Sequence, residues 1–360
     1  MAYTDFIPQN VALLNTRRIN IYDTNGNKVG NIPLGSLTPP NSRQKLYSFG
    51  ALSDIHLQYD TAQNDFEAAL KYLNNTEDVE FTCICGDLTS NGTTTELDVF
   101  KKHINDYSSD TPVYAISGNH DSPSVGNTVT DESAVNGLGF DALRPYTGQS
   151  LYYSFTKGDD VFIMIGEWAW SYIWPFSIAE MQWLYETLEA NRNKRCFVFQ
   201  HLLSFEGCGN PYPNLESPTT DILGCENTSR YSNITGRIFL SLMRHYKNCI
   251  WFHGHSHISF ECQKDNPMSN YDQYYGIHSV HIPSLAVPRE YENSTKVERY
   301  SESEGYVVDV YENGIHLRGR DFAYNNYEGR FLPIASYWLD TTLKTVDAKT
   351  YKDPTGNIVI

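Results

Sequence analysis

Aspartate, asparagine and histidine recur in this chain at one kind of position, immediately after a short apolar run. Leu46–Leu52 leads into Ser53-Asp54-Ile55-His56, and Val79–Cys85 into Gly86-Asp87. Val113–Ile116 leads into Ser117-Gly118-Asn119-His120-Asp121, Cys196–Phe199 into Gln200-His201, and Ile250–Phe252 into His253-Gly254-His255-Ser256-His257. These side chains offer the oxygen and nitrogen atoms that bind hard and borderline divalent metals. Asp54, His56, Asp87, Asn119, His201, His255 and His257 are more ligands than one ion takes from a protein. If one carboxylate bridges, the set makes four bonds to each of two ions, which is the arithmetic of a two-metal site. Gly86, Gly118 and Gly254 sit where the chain must turn with little side-chain bulk.

The elements needed to position these residues are legible as patterns. The apolar runs have the length of buried strands, and amphipathic helices alternate with them. One helix is expected over Asp65–Asn75, with Phe66, Ala69, Leu70 and Leu73 on one face. A second carries Leu97, Phe100, Ile104 and Tyr107. Ser177-Ile178-Ala179-Glu180 is a capping box opening a third, with Met181, Leu184 and Leu188 on its apolar face. A fourth is expected over 236–246. Strands alternating with helices predict an α/β core, and in such sheets ligands bind outside the carboxyl ends of the strands. Five strand ends would then meet at one edge. Before this core, Ile19–Tyr22 and Val29–Leu34 flank Asn25-Gly26 as a hairpin, followed by the linker-like Thr38–Ser42. Glu312-Asn313-Gly314 joins a second hairpin, 306–311 with 315–320. The organisation expected is an N-terminal β appendage and linker at 1–45, an α/β core domain at 46–321 and a C-terminal extension at 322–360.

Composition limits the function classes. The chain has 360 residues, 27 Lys+Arg against 43 Asp+Glu, and a formal net charge of −16. A protein that grips extended nucleic acid needs a basic stripe, so a nuclease is disfavoured. No apolar run is long enough to span a membrane. The N-terminus lacks the basic and apolar regions of a secretory signal, so a cytoplasmic location is favoured over others. The seven cysteines follow no disulfide or zinc spacing.

Each motif alone has a bland reading: Asp-x-His as a loop, Gly-Asp as a turn, Gly-Asn-His-Asp as capping residues. Together and in order they resemble the calcineurin-like metallophosphoesterase superfamily, over about residues 46–321. The stretch Ser53–Leu57 with Gly86-Asp87-Leu88-Thr89 is most similar to bacterial cyclic-nucleotide phosphodiesterase-like members. The resemblance implies a four-layer α/β/β/α sandwich of two mixed sheets flanked by helices. It implies that Asp54, His56 and His257 bind one metal, that Asn119, His201 and His255 bind the other, and that Asp87 bridges. His120 would contact phosphate and protonate the leaving oxygen. The reaction implied is hydrolysis of a small phosphodiester or phosphomonoester by a metal-bridging hydroxide, with two ions of manganese, iron, zinc or cobalt as cofactors.

One position departs from the superfamily pattern. Many relatives place an aspartate three residues after the bridging one to orient the catalytic histidine, and purple acid phosphatases place a tyrosine ligand there. This chain has Ser90. His120 would then be oriented by Ser90, Asp121 or another group. His253 is a candidate for a place behind the ligands, and His281 could approach from the strand before Pro283. The remaining histidines, 103, 245, 278 and 316, are expected to be structural or on the surface. Trp168, Trp170, Tyr172 and Trp174 are expected to pack in the core, and the polar 202–235 segment to form a loop beside the site. The Ser90 departure and the two terminal appendages keep a second reading open, a non-catalytic binding or attachment protein that holds a partner through either extension.

Overall fold

The structure is a computed structural model that describes residues 19–22, 28–32, 44–58, 60–121, 148, 150–167, 175–204, 208–209, 226–227, 231–232, 234–263, 270–274, 277–292, 295–323 and 330–341. The expectations for Asn25-Gly26, the 38–42 linker, the Trp168–Trp174 stretch and most of 202–235 lie outside the described residues.

Two strands, β1 (Ile19–Tyr22) and β2 (Lys28–Ile32), pair antiparallel as the first hairpin. The next strands are β3 (Lys45–Leu52), β4 (Phe81–Cys85) and β5 (Val113–Ile116). Helix α1 (Asp60–Asn75) links β3 to β4, and α2 (Thr94–Tyr107) links β4 to β5. Strands β6 (Tyr152–Lys157) and β7 (Asp160–Ile165) precede α3 (Ile178–Ala190) and β8 (Cys196–Gln200). Beyond the short pair β9 (Glu226–Asn227) and β10 (Tyr231–Ser232), helix α4 (Ile234–His245) leads to β11 (Cys249–His253). Then come β12 (Tyr271–Tyr274), β13 (Ile277–His281), β14 (Arg289–Glu292) and β15 (Thr295–Glu298). The last are β16 (Glu304–Tyr311), β17 (Gly314–Asp321) and β18 (Arg330–Asp340).

These strands make two mixed sheets, ordered β18-β17-β16-β3-β4-β5 and β12-β13-β11-β8-β7-β6. In the first, β3, β4 and β5 are parallel and β16, β17 and β18 run antiparallel in succession. In the second, β7, β8, β11 and β13 are parallel, with antiparallel edges at β6 and β12. Strand alternation divides the side chains. Phe49, Ala51, Phe81 and Cys83 of the first sheet meet Phe162, Phe197, Phe199 and Phe252 of the second in a core between the sheets. Leu52, Ile84 and Ala115 turn outward against Phe66, Leu70 and Leu73 of α1 and Leu97 and Phe100 of α2. Ile163, Val198 and Trp251 turn outward against Leu184 and Leu188 of α3 and Phe239 and Met243 of α4. The result is the four-layer α/β/β/α sandwich that the resemblance implies.

Local chemistry explains the elements. The Ser177–Glu180 box caps α3, and a second box, Thr93–Glu96, caps α2. Helix α1 starts at Asp60, five residues before the expected start at Asp65. It packs so close to β3 that a β-carbon on Gly50 would lie 2.7 Å from the Leu73 side chain. At the edge far from the strand carboxyl ends, Arg195 pairs with Asp160 at 2.6 Å, and Tyr47 donates to the same carboxylate. The charge pair belongs to the second sheet, and the bonds from Tyr47 of β3 and to Tyr311 O of β16 tie it to the first. Strand β18 falls in the stretch read as a C-terminal extension, yet it hydrogen-bonds β17 and widens the sheet.

Candidate metal centre

The five parallel strands that end in candidate ligands come from both sheets: β3, β4 and β5 from one, β8 and β11 from the other. Their carboxyl ends share one edge, and short backbone bonds lace the loops there. Asp54 N donates to Gly86 O at 3.1 Å and Ile55 N to Asp87 O at 2.8 Å. In the second sheet, Gly254 N after β11 donates to His201 O after β8 at 3.0 Å. The loops leave the strands by left-handed turns, with φ of 52° at Asp54, 47° at His56, 50° at Asp87, 75° at His255 and 61° at His257. The left-handed region is costly for these L-residues, so the surrounding structure must hold them there. Glycine is needed where loops touch. A β-carbon on Gly118 would meet the Asp87 carboxylate and lie 2.5 Å from its backbone nitrogen, and one on Gly86 would lie 2.7 Å from the His201 ring.

The ligand atoms converge. Those of Asp54, His56, Asp87 and His257 lie within 4.8 Å of one another, and so do those of Asp87, His201 and His255. Asp87 belongs to both groups. Its Oδ2 lies 3.2 Å from His201 Nε2 and 3.6 Å from His56 Nε2. Asp54 Oδ1 lies 3.1 Å from His257 Nε2, and His56 Nε2 lies 3.1 Å from His257 Nε2. Asn119 joins the second group through its Oδ1, 3.0 Å from His255 Nδ1. Each of these side chains is buried except that of His255, which with His120 is half-buried and opens the group to solvent.

The far sides of the ligands are occupied, which aims their near sides. His201 Nδ1 donates to Cys85 O at 2.7 Å and His257 Nδ1 to Val287 O at 3.1 Å, leaving each Nε2 turned into the group. Asp54 Oδ2 accepts from Ser53 Oγ at 2.7 Å and His255 N at 3.0 Å, so Oδ1 points inward. Asp54 Oδ1 and His201 Nε2 are buried without a hydrogen-bond partner. Orphaned buried polar atoms are expensive unless something else satisfies them.

The electrostatics ask for positive charge. Burial opposes ionisation of Asp54 and Asp87, yet the charge of His201, with His257 at Asp54 and His56 at Asp87, holds both carboxyls well below the usual range. Burial works against a charged His201, but Asp87 and Asp54 outweigh it and push its pKa well up. A cation is therefore stabilised at His201 Nε2. Burial pushes His56 and His255 down to about 3, so both are neutral imidazoles at ordinary pH. Anionic carboxylates and neutral imidazoles are the forms that bind metal. The donor set and its orphaned atoms fit divalent transition-metal ions.

The residues behind the ligands differ in part from expectation. His120 N donates to Asp87 Oδ1 at 2.9 Å, and its ring Nδ1 lies 2.8 Å from Ser90 O. Ser90 thus meets His120 through its carbonyl, while its hydroxyl faces His56 Nδ1 at 3.5 Å. Asp121 engages the backbone of the neighbouring loops. It accepts from Thr89 N, Leu88 N and Gly118 N at 2.8, 3.1 and 2.8 Å, tying the Asp87 loop to the Asn119 turn. Burial, then the Asp87 charge, raises its pKa to about 6. His253 lies outside both ligand groups, 3.0 Å from Ser279 Oγ and 3.4 Å from Cys208 Sγ. His281 sits beneath the ligand loop, its Nε2 2.8 Å from Ser256 Oγ. His103, His278 and His316 have local partners in Val99 O, Tyr271 Oη and Ser336 Oγ, and His245 packs on Tyr246. Sequence reasoning passed over Ser53 and Glu96. Thr93-x-x-Glu96 carried the same capping pattern as Ser177-x-x-Glu180, while nothing in a sequence marks the carbonyls of Cys85, Ser90 and Val287.

A family profile described as calcineurin-like phosphoesterase matches residues 47–259. No curated protein matches the chain. Among solved structures it is similar to the purple acid phosphatase PPD1 from yellow lupin (Lupinus luteus) seeds, with a TM-score of 0.53 and 14% identity over 88% of this chain. The chain spans 58% of the lupin protein, and the likeness is one of fold. It is also similar to GAP50, the anchor in the inner membrane complex of Plasmodium, with a TM-score of 0.49 and 16% identity over 88% of this chain and 100% of that one. Among the described residues no helix is long and apolar enough to cross a membrane.

Proposed function

The chain belongs to the calcineurin-like phosphoesterase family, and from that premise we propose that it is a metal-dependent hydrolase of a small phosphomonoester or phosphodiester. The observation that carries the reading is the shared Asp87, whose carboxylate belongs to two adjoining ligand groups. Asp54, His56 and His257 would hold one ion and Asn119, His201 and His255 the other, with Asp87 common to both. When bound, such ions supply Lewis-acid charge to a phosphoryl group and lower the pKa of water.

The chain's own residues do the rest. The buried carboxylates and imidazoles exclude bulk water from one side of the phosphate, which approaches past His120 and His255. Asn119 contributes an oxygen without negative charge, so the site stays electrophilic. His120 is held beside the ligands by its backbone bond to Asp87 and by the Ser90 carbonyl at Nδ1. With the Nδ1 proton so engaged, Nε2 is the ring atom we assign to the substrate. In hydrolysis the bond from phosphorus to the leaving oxygen breaks as one to a water oxygen forms. In its imidazolium form His120 gives the Nε2 proton to the departing oxygen, and the proton lost by the attacking water goes to solvent.

The test is metal content and turnover. Protein reconstituted with manganese should hold two ions per chain and hydrolyse p-nitrophenyl phosphate, bis-p-nitrophenyl phosphate or both. Fewer than two ions together with no hydrolysis of either ester would refute the reading. Comparing the two esters, and then 3′,5′-cyclic nucleotides, decides whether diesters of the cyclic-nucleotide kind are preferred.

A further inference from the structure

An ordinary capping box uses its acidic residue only to return to the helix N-cap. In α2 the Glu96 carboxylate does more. One oxygen, Oε2, accepts from Thr93 N at 3.1 Å and Thr93 Oγ1 at 2.6 Å, which is the cap. The other, Oε1, reaches past the helix start and accepts from Ser90 N at 3.0 Å and Asn91 Nδ2 at 3.4 Å. Glu96 is buried. Ser90 is in turn the residue whose carbonyl lies 2.8 Å from His120 Nδ1. The same loop is held from its other side, where Thr89 Oγ1 accepts from Gly92 N at 3.0 Å and donates to Asp121 Oδ1 at 2.8 Å.

We infer that Glu96 is a positioning residue for His120, acting through Ser90. Fixing Ser90 at its N–H fixes the direction of its carbonyl. That carbonyl keeps a proton on His120 Nδ1 and sets the plane of the ring. In the imidazolium form the proton available for transfer is then the one on Nε2, and its loss leaves the neutral Nδ1–H ring. A buried carboxylate three residues beyond the bridging aspartate would do this directly. Here the carboxylate is nine residues along the chain and works through a peptide, so it orients the imidazole without placing a charge against it. This rests on the proposed role of His120, so the experiment must separate the two.

A proton donor to the leaving oxygen matters more as that oxygen becomes a poorer leaving group. The experiment measures kcat for p-nitrophenyl phosphate and phenyl phosphate, or the corresponding diesters, with manganese-loaded protein. His120→Ala should lose far more activity on the phenyl ester. Glu96→Ala should lose about tenfold on the phenyl ester and less than about twofold on the p-nitrophenyl ester. Thr93→Ala, which removes the cap hydroxyl and keeps the Ser90–Glu96 bond, should lower Tm and leave the ratio of the two esters unchanged. If Glu96→Ala slows both esters equally, or if Thr93→Ala shifts the ratio as much, the inference is wrong. Glu96→Gln, which keeps the chain length and the fold but offers only one acceptor oxygen, should show the same selective loss at smaller size. Imidazole ¹⁵N NMR supplies a readout free of turnover: in the neutral ring that remains after proton transfer, the Nδ1–H tautomer of His120 should dominate in the parent protein and give way to a mixture in Glu96→Ala. An unchanged spectrum overturns the inference even if the protein hydrolyses neither ester, a result that by itself would refute only the proposed function.

Discussion

Five of the proposed ligands, Asp54, His56, Asp87, His255 and His257, have left-handed backbone. An L-residue there costs roughly 1–2 kcal/mol relative to the ordinary helical region, whereas glycine adopts it freely. Function and stability therefore pull apart at these positions. Asp87→Gly and Asp87→Ala should both lose metal, read by elemental analysis after reconstitution. In the metal-free state Asp87→Gly should be the more stable of the two by about 1 kcal/mol in urea denaturation. Equal stability would mean that the loop relaxes once the carboxylate is gone. Candidate ligands at this scale stood out in the sequence, because metal chemistry restricts residue type. The orientation of His120 was not, because it depends on a carbonyl that any residue at position 90 would carry.

At the scale of elements, the strand termini do the positioning. Val113–Ile116 was legible to the residue, since its apolar run is bounded by Pro112 and the Gly118 turn. Helix α1 was legible only from Phe66 onward, because its first turn carries polar residues with no apolar period. The turn at Gly118 separates strand β5 from Asn119 and has no room for a side chain. Gly118→Ala should cost about 1–3 kcal/mol of stability and weaken metal binding, measured by denaturation and by titration with manganese. Thr93→Ala should cost about 1 kcal/mol through the lost cap on α2, with metal stoichiometry unchanged.

For the whole molecule, charge is organised rather than merely acidic. Glu77, at the end of α1, accepts from Arg318 and Arg320 on β17 and ties a helical layer to the sheet. Burial opposes its ionisation, yet the hydrogen bonds and charge of Arg318 and Arg320 hold its pKa down at about 2. The folded value lies below the unfolded one, so the contribution is complete above about pH 4.5 and is lost as pH falls toward 2. Glu77→Gln should thus be less stable than the parent by about 2–3 kcal/mol at pH 6, a gap that closes toward pH 2 in paired denaturation series. A gap independent of pH would exclude the carboxylate as its source. The net charge of −16 acts over longer range. Extended DNA should not shift in a gel at either low or physiological salt, while a local metal charge still attracts a single phosphate.

Sequence by itself pointed to an α/β core, to the strand ends that carry chemistry and to seven candidate ligand residues. Each follows from short-range rules: apolar period, turn chemistry and the few residue types that bind metal. Tertiary structure alone decided how the five strands are divided, β3, β4 and β5 in one sheet and β8 and β11 in the other, and that β18 pairs with β17. It also decided that the capping carboxylate of α2 reaches Ser90. These depend on which backbone groups meet across the fold, and every residue carries the same backbone amide and carbonyl, so no residue type announces them.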